Sequence, residues 1–408
     1  MELLHPICSG LDVHKDSVVA CVRTQVGARG QSETRTFGTC TTDLLQLCDW
    51  LQESGCTAVG MEATGVYWKP VWHILEGSFE LILANAGHIK NVPGRKSDVS
   101  DAAWIADLVA HGLIRPSFVP TPSGQQLRDL TRTRKQFVRQ RAQHTNRIQK
   151  VLEDANIKLG SVVTDVLGAS GRAILDALVD GITDPEHLAD LASPRIKAGK
   201  QKLTEALRGK VTAHHRFLLR MHLEQVDATD RAVREIEAQI EALTSPFDDA
   251  VERLTTIPGV SRTAAAVIIA EIGLDMSRFP SAAHLVSFAG LCPRLDETAG
   301  KKRSTRLRKG SNWLKCTLVS CAWAATHTKD TYARAQYYRI RTRRGHNKAV
   351  VAVAAGILVA VYHMLTRGTA YQDLGPTYFD TRNKERTAKR LQRRLEDMGY
   401  QVALTEAA

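Results

Sequence analysis

The 408 residues predict an N-terminal α/β domain followed by a mostly helical remainder, and three features of the chain carry that expectation. Over the first part of the chain, short β-branched or apolar runs alternate with amphipathic stretches. Beyond Pro122 a helical period runs to about Asp154 and returns from Phe217 to Leu243. An apolar share of 43% with 6% aromatics is that of an ordinary folded chain, long enough for about two to three domains. Composition and pattern place boundaries at 1–122, 123–245, 246–370 and a basic tail at 371–408.

Taken in order, Ile7–Val13, Ser17–Arg23 and the weaker Thr34–Phe37 read as a strand meander. Thr42–Leu51 is an amphipathic helix through Leu44, Leu45, Leu47 and Leu51. Thr57–Met61 is a short buried strand running into Glu62, and Glu80–Ala84 is another. A loop marked by Pro93-Gly94 then leads to a helix that begins near Asp98. Strand, strand, strand, helix, strand, helix, strand, helix is the order of a ribonuclease H-like domain. In that layout the first and fourth strands lie side by side and parallel, so their C-terminal ends share a crevice.

Asp12 and Glu62 sit at those two ends. Asp98 and Asp101, three apart, share a helix face and could be brought to the same place. Four carboxylates around one cavity need cations to neutralise them, and hard oxygen donors suit Mg²⁺ or Mn²⁺. Two ions about 4 Å apart would activate an attacking oxygen and stabilise a leaving one on a phosphodiester. The plainer readings are a strand-end turn for Asp12, a solvated acid for Glu62 and a dipole-favoured first turn for the aspartates.

A capping box of Ser123 and Gln126 opens a long helix to about Asp154. It carries Arg128, Arg132, Arg134, Lys135, Arg139, Arg141, Arg147 and Lys150 against a single acid, Asp129. So one-sided a run reads as a phosphate-contacting surface rather than a solvated face. Residues 160–209 read as short helices, one starting at Asp184-Pro185. Leu219, Val226, Val233 and Ile240, with Ile236 and Leu243, form a heptad interrupted by His222 and Thr229. It fits a coiled-coil linker, as a helical hairpin or a dimer seam, or packing on the basic helix of the same chain.

Thr255–Ser261 joins helices in the manner of a helix-hairpin-helix, in which amides around Gly259 receive a DNA phosphate. Ser261 stands where such a motif carries a second glycine. Between Gly290 and Gly310 a loop gathers Arg294, Lys301, Lys302, Arg303, Arg306, Arg308 and Lys309 around hydroxyl side chains. It reads first as a basic DNA-contacting loop and second as the holder of a nucleophile. Arg339–Lys348 and Thr381–Arg394 are further basic runs.

The net charge of +12 favours a polyanionic partner, nucleic acid above all. Eight scattered cysteines, with no CxxC pair or finger-spaced histidine, read as reduced packing residues rather than zinc ligands. No secretion leader is recognisable at Met1. Ala349–Leu365 falls short of a bilayer span of about 20 apolar residues and reads as a buried helix. The expected setting is cytosolic and away from membranes.

Gly10-Leu11-Asp12, Met61-Glu62-Ala63-Thr64-Gly65, Lys96-Ser97-Asp98 with Asp101, Ile257-Pro258-Gly259, Ala289-Gly290-Leu291-Cys292-Pro293 and Arg308-Lys309-Gly310 with Trp313-Leu314 together resemble the DEDD-type insertion-sequence transposases guided by a bridge (seeker) RNA. The likeness covers roughly residues 7–112 and 250–365. It implies a recombinase in which Asp12, Glu62, Asp98 and Asp101 with Mg²⁺ form a composite site with a serine of a C-terminal transposase domain. The serine attacks DNA to give a covalent intermediate, in a homo-oligomer directed by a structured non-coding guide RNA. Here the family's serine position holds Thr298. Either Thr298 is a slower nucleophile, or Ser304 or Ser311 takes over, or the chain binds without cleaving. Rival functions are a metal-dependent nuclease or junction resolvase without a covalent intermediate, and a silent nucleic-acid binder.

Overall fold

The computed structural model describes residues 3–26, 29–93, 100–294, 296–298, 301–304, 306–382 and 384–404. They fall into two compact units, Met1–Val119 and Pro120–Ala408.

The first unit is built on β1 (Ile7–Val13), β2 (Ser17–Val26), β3 (Arg29–Gly38), α1 (Thr41–Glu53), β4 (Ala58–Glu62), α2 (Trp68–Leu75), β5 (Glu80–Ala84), α3 (Ala86–Asn91) and α4 (Asp101–Ala110). Its sheet runs β3-β2-β1-β4-β5, with β2 antiparallel to both β1 and β3, and β1, β4 and β5 parallel. The expected adjacency of the first and fourth strands is therefore present. Sheet alternation sends Leu11, Val13, Val59 and Met61 into a core with Leu44, Leu47, Leu51 and Leu75 of α1 and α2. Cys8 and Ala58 face the other way, into a core with Trp104, Ile105, Leu108 and Val109 of α4.

β3 is far longer than its sequence suggests. Only Thr34, Thr36 and Phe37 are β-favouring, yet all ten residues pair with β2, from Ser17↔Gly38 to Val26↔Arg29. As an edge strand with exposed polar side chains it takes its conformation from its neighbour, not from its own pattern.

The second unit starts with α5 (Pro122–Asp154). Four short helices follow, α6 (Leu159–Val162), α7 (Ala169–Val179), α8 (Pro185–Asp190) and α9 (Lys200–Ala206), and then α10 (Ala213–Thr244). The α5 cap differs from the expected Ser123 box. Thr121 accepts from the Gly124 amide and Pro122 occupies the first turn, where its missing N–H costs nothing. The expected start of α8 is present, with Asp184 accepting from the His187 amide.

α10 lies antiparallel against α5 of the same chain, as the ion pairs Arg134–Glu237 and Arg141–Asp230 and the His144–His222 contact show. Leu219, Val226 and Ile240 are buried, so the heptad faces a partner within the chain. The two long helices bridge two cores. Leu127 and Ile240 enter one, while Ile148, Leu152, Leu219 and Leu223 enter the other with the short helices.

The remainder comprises α11 (Asp248–Thr255), α12 (Arg262–Ile272), α13 (Ala282–Phe288), the hairpin β6 (Asp296–Thr298) and β7 (Lys301–Ser304), α14 (Asn312–Ala325), α15 (Tyr332–Arg344), α16 (His346–Arg367), α17 (Tyr378–Thr381) and α18 (Lys384–Glu396). α16 is long and apolar enough to cross a membrane. Its Ala349, Val350, Val353, Ala354, Ile357, Leu358, Val361 and Met364 are nonetheless buried in the core of this unit. The basic loop expected after Pro293 is a β-hairpin instead, with Thr298 paired to Lys301.

Candidate active site and nucleic-acid interface

In the first unit the register Leu11↔Met61 brings β1 and β4 to their ends together, so the next residues, Asp12 and Glu62, stand side by side. Gly10 and Gly60 precede them by two and therefore share their face of the sheet. Both glycines are where α4 comes down. An added Cβ at Gly10 would stand 2.2 Å from the Ala102 carbonyl oxygen and 2.3 Å from the Ala106 amide nitrogen. One at Gly60 would stand 2.4 Å from Cγ2 of Val109. Cys8, earlier on β1, donates through Sγ to the Ala106 carbonyl at 3.4 Å. As β1 runs from Cys8 to Gly10, its contacts on α4 move from Ala106 to Ala102. The first turn of α4, opened by Asp101 and capped by Ser100, thus points to the sheet edge that holds Asp12 and Glu62.

Asp12 accepts from or shares a proton with Nε2 of His14 at 3.2 Å, and Glu62 accepts from the Thr64 hydroxyl at 3.1 Å. Asp98 lies outside the described residues. Among the described residues no three His, Cys, Asp or Glu side chains gather closely enough to hold one ion. Asp12, Glu62 and Asp101 share an edge without closing into such a cluster.

In the second unit the foot of the hairpin is clamped by Arg294 N–H donating to the Arg306 carbonyl at 2.8 Å and Arg308 N–H donating to the Cys292 carbonyl at 3.1 Å. The flanking glycines are there because backbones meet. A Cβ on Gly290 would stand 2.7 Å from the Arg308 oxygen, and one on Gly310 2.4 Å from the Gly290 nitrogen. Thr298, Lys301, Lys302 and Arg303 lie on the paired strands, and Arg306 and Lys309 are exposed beyond them. Arg308 donates to the Ser287 hydroxyl at 3.1 Å. Of the alternative hydroxyls, Ser304 accepts from the Arg306 amide at 3.2 Å. Ser311 caps α14 and donates to Glu271 at 3.0 Å, so its oxygen is already engaged.

The basic face of α5 divides. Arg134 and Arg141 pair with α10, at 2.8 Å to Glu237 and 2.6 Å to Asp230. Arg128 donates to the carbonyls of Ala270 and Glu271, and burial holds its guanidinium below its ordinary pKa. Arg132 grips the Glu271 carboxylate with two bonds of 2.8 and 3.0 Å. Glu271 itself is 2% exposed at its side chain. The surface expected to be wholly given to phosphate is thus partly an internal framework. Glu271 was missed, although one acid in the apolar run Ala264–Ile272 signals a buried charge that must find partners.

What remains open on α5 meets the turn before α12. A cavity of about 380 Å³ is lined by Arg132, Arg134 and Lys135, by Gly259, Ser261 and Thr263, and by Trp313, Thr317 and Ser320 of α14. Gly259 has φ +83°, and a Cβ there would stand 2.3 Å from the Cys321 carbonyl oxygen, so only glycine lets the turn lie against α14. Ser261 caps α12 by accepting from the Ala264 amide. Arg132, Lys135 and Arg139 all stand within 6 Å of the Trp313 ring. The basic helix and the helix-hairpin-helix turn, read separately in the sequence, therefore meet at one cavity. Cations, hydroxyls and a helix N-terminus converging on one hollow form a place for an anionic oxygen.

Two family models match the chain, one described as Transposase, of the IS110 DEDD type, over residues 9–157, and one described as Transposase IS116/IS110/IS902 family over residues 251–339. The chain belongs to the IS110 family of transposases. It is 34% identical over 147 residues to the insertion element IS110 uncharacterized 43.6 kDa protein of Streptomyces coelicolor, an alignment spanning 35% of each chain. It is 24% identical to the transposase for insertion sequence element IS1111A of Coxiella burnetii, over 71% of this chain and 72% of that one. It is 23% identical to the transposase for insertion sequence element IS1328 of Yersinia enterocolitica, over 80% and 89%. Membership in the IS110 family places the chain among enzymes of DNA transposition. The two matched segments hold the acids of the first unit and the hairpin of the second.

Proposed function

We propose that this transposase cleaves and rejoins DNA through a hydroxyl nucleophile and a covalent protein–DNA intermediate, at sites chosen by pairing with a structured non-coding RNA. The observation that carries the reading is the meeting of Asp12 and Glu62 at adjoining strand ends, on the face where Gly10 and Gly60 admit the helix that begins with Asp101. The strand order β3-β2-β1-β4-β5 supports a ribonuclease H-like assignment for that unit.

Hard carboxylate oxygens from Asp12, Glu62 and Asp101, with Asp98, are a donor set suited to Mg²⁺ or Mn²⁺. When bound, one or two such ions supply Lewis-acid polarisation and neutralise developing charge. The acids hold that charge in place, and His14 and Thr64 orient the Asp12 and Glu62 carboxylates. The Thr298 hydroxyl attacks phosphorus, its proton passing to a base. The bond from phosphorus to the leaving strand oxygen breaks, that oxygen takes a proton, and a threonyl phosphodiester remains. Arg306, Lys309 and the cavity at Lys135, Gly259 and Thr263 hold neighbouring phosphates.

Denaturing electrophoresis of labelled element-end DNA after reaction in Mg²⁺ tests the reading. A DNA adduct is expected with the wild-type chain. It disappears in Thr298→Ala and in Asp12→Asn, and it strengthens in Thr298→Ser, which removes a methyl group beside the attacking oxygen. Cleavage that survives Thr298→Ala with no adduct would overturn the covalent route in favour of a nuclease.

A further inference from the structure

A larger cavity of the second unit lies between α15 and the segment running from α17 into α18. It measures about 740 Å³, and its walls include Tyr338, Arg339 and Arg343 on one side and Phe379, Arg386 and Arg390 on the other. Arg339 and Arg343 are four apart on α15, and Arg386 and Arg390 are four apart on α18, so each helix presents a pair of guanidinium groups along one face. Arg128, Arg132, Arg134 and Arg141 of α5 are answered by Glu271, Glu237 and Asp230, whereas among the described residues this groove holds one acid, Asp380, 3.9 Å from Arg390. Among the described residues Arg339, Arg343 and Arg386 have no carboxylate within ion-pair reach. α18 buries no side chain, so core packing does not account for its position. Aromatic rings complete the groove. Tyr338 is 46% exposed, and Arg339 stands 5.1 Å over Phe379.

We propose that this groove binds a single-stranded polynucleotide, its phosphates between the two arginine pairs and an unpaired base against the exposed Tyr338. Four guanidinium groups line the groove against one carboxylate, and phosphodiesters match their forked donors. An exposed tyrosine inside the groove favours unpaired bases, since paired bases offer no free face. The groove shares no residue with the acids or with the Gly259 cavity, and it adds to the nucleic-acid reading of this transposase.

Fluorescence anisotropy of the full chain with a labelled U12 RNA, a dT12 DNA and a 12-base-pair duplex tests it, against Tyr338→Ala and the pair Arg386→Gln with Arg390→Gln. α18 carries nothing buried, so the arginine pair leaves the core intact, and an unchanged melting temperature checks this. Expected is a loss on the order of ten-fold in single-strand affinity for Tyr338→Ala. The arginine pair lowers the salt slope by about 1.4, and duplex binding is unchanged in both variants. Loss confined to RNA or to DNA names the source. Unchanged binding of both single strands, or an equal loss for the duplex, overturns the proposal. A failure of the catalytic reading would show instead in the adduct assay, with this groove unaffected.

Discussion

Glu271 shows what one residue contributes. Its carboxylate, in the apolar run that ends α12, takes two bonds from Arg132 and one from the Ser311 hydroxyl, so it ties α5, α12 and the cap of α14 together. The pair carries little net stability by itself, because desolvating both ions offsets their attraction, but losing one partner strands the other. Glu271→Ala is expected to cost about 3 kcal/mol, the lower end of the range for a broken buried pair, because Arg132 keeps 32% of its side chain in solvent. Urea unfolding of wild type and variant reads this directly, and a shift below about 1 kcal/mol would mean that the network is only decorative. Duplex affinity should fall as well, since Arg132 also lines the cavity at Gly259.

At the scale of elements, the contact of α4 with β1 and β4 decides where the acids stand. Gly10→Ala places a methyl group against the backbone of Ala102 and Ala106, which cannot yield as a side chain would. The helix must lift or shift. DNA cleavage is expected to fall at least ten-fold although no acid has been touched, while circular dichroism keeps its shape. Full activity would show that the position of α4 is irrelevant to the site. This contact also marks the limit of what the sequence discloses. Strand order, the strand-end positions of Asp12 and Glu62, and the start of α8 at Asp184 were legible because pattern and capping chemistry are local. The length of β3, the Thr121 cap, the hairpin at 296–304 and the internal partners of Arg128 and Arg132 were not, because each depends on a neighbour distant in sequence. The α5–α10 pair adds a pH dependence. Burial first, then His144 and Arg147, lowers the His222 pKa below its ordinary 6.5. The unfolded chain therefore binds the proton more readily than the folded one, and stability falls as pH drops from about 6.5 toward the lowered value. Thermal melts between about pH 5 and pH 7.5 should show this loss, flattened in His222→Gln. A variant with an unchanged profile would assign the dependence to other groups.

For the whole molecule, the charge is not shared between the units. Of the 55 lysines and arginines only nine lie in residues 1–119, against thirteen of the 43 aspartates and glutamates. The first unit is therefore net −4 and the second +16. An acidic unit repels a polyanion until cations intervene, so the second unit must supply the attraction that brings DNA in. Duplex affinity should fall steeply with salt, and Lys135→Gln or Arg139→Gln should each reduce the log–log slope by about 0.9, the signature of one lost phosphate contact. Lys69→Gln and Arg115→Gln, in the first unit, should leave the slope where it was. Raising Mg²⁺ at constant ionic strength separates the two roles further. It should promote cleavage through the acids while weakening, through competition for phosphate, the binding that the second unit provides. Equal slope changes from substitutions in both units would show that DNA approach is shared across the chain and that the division of charge has no bearing on it.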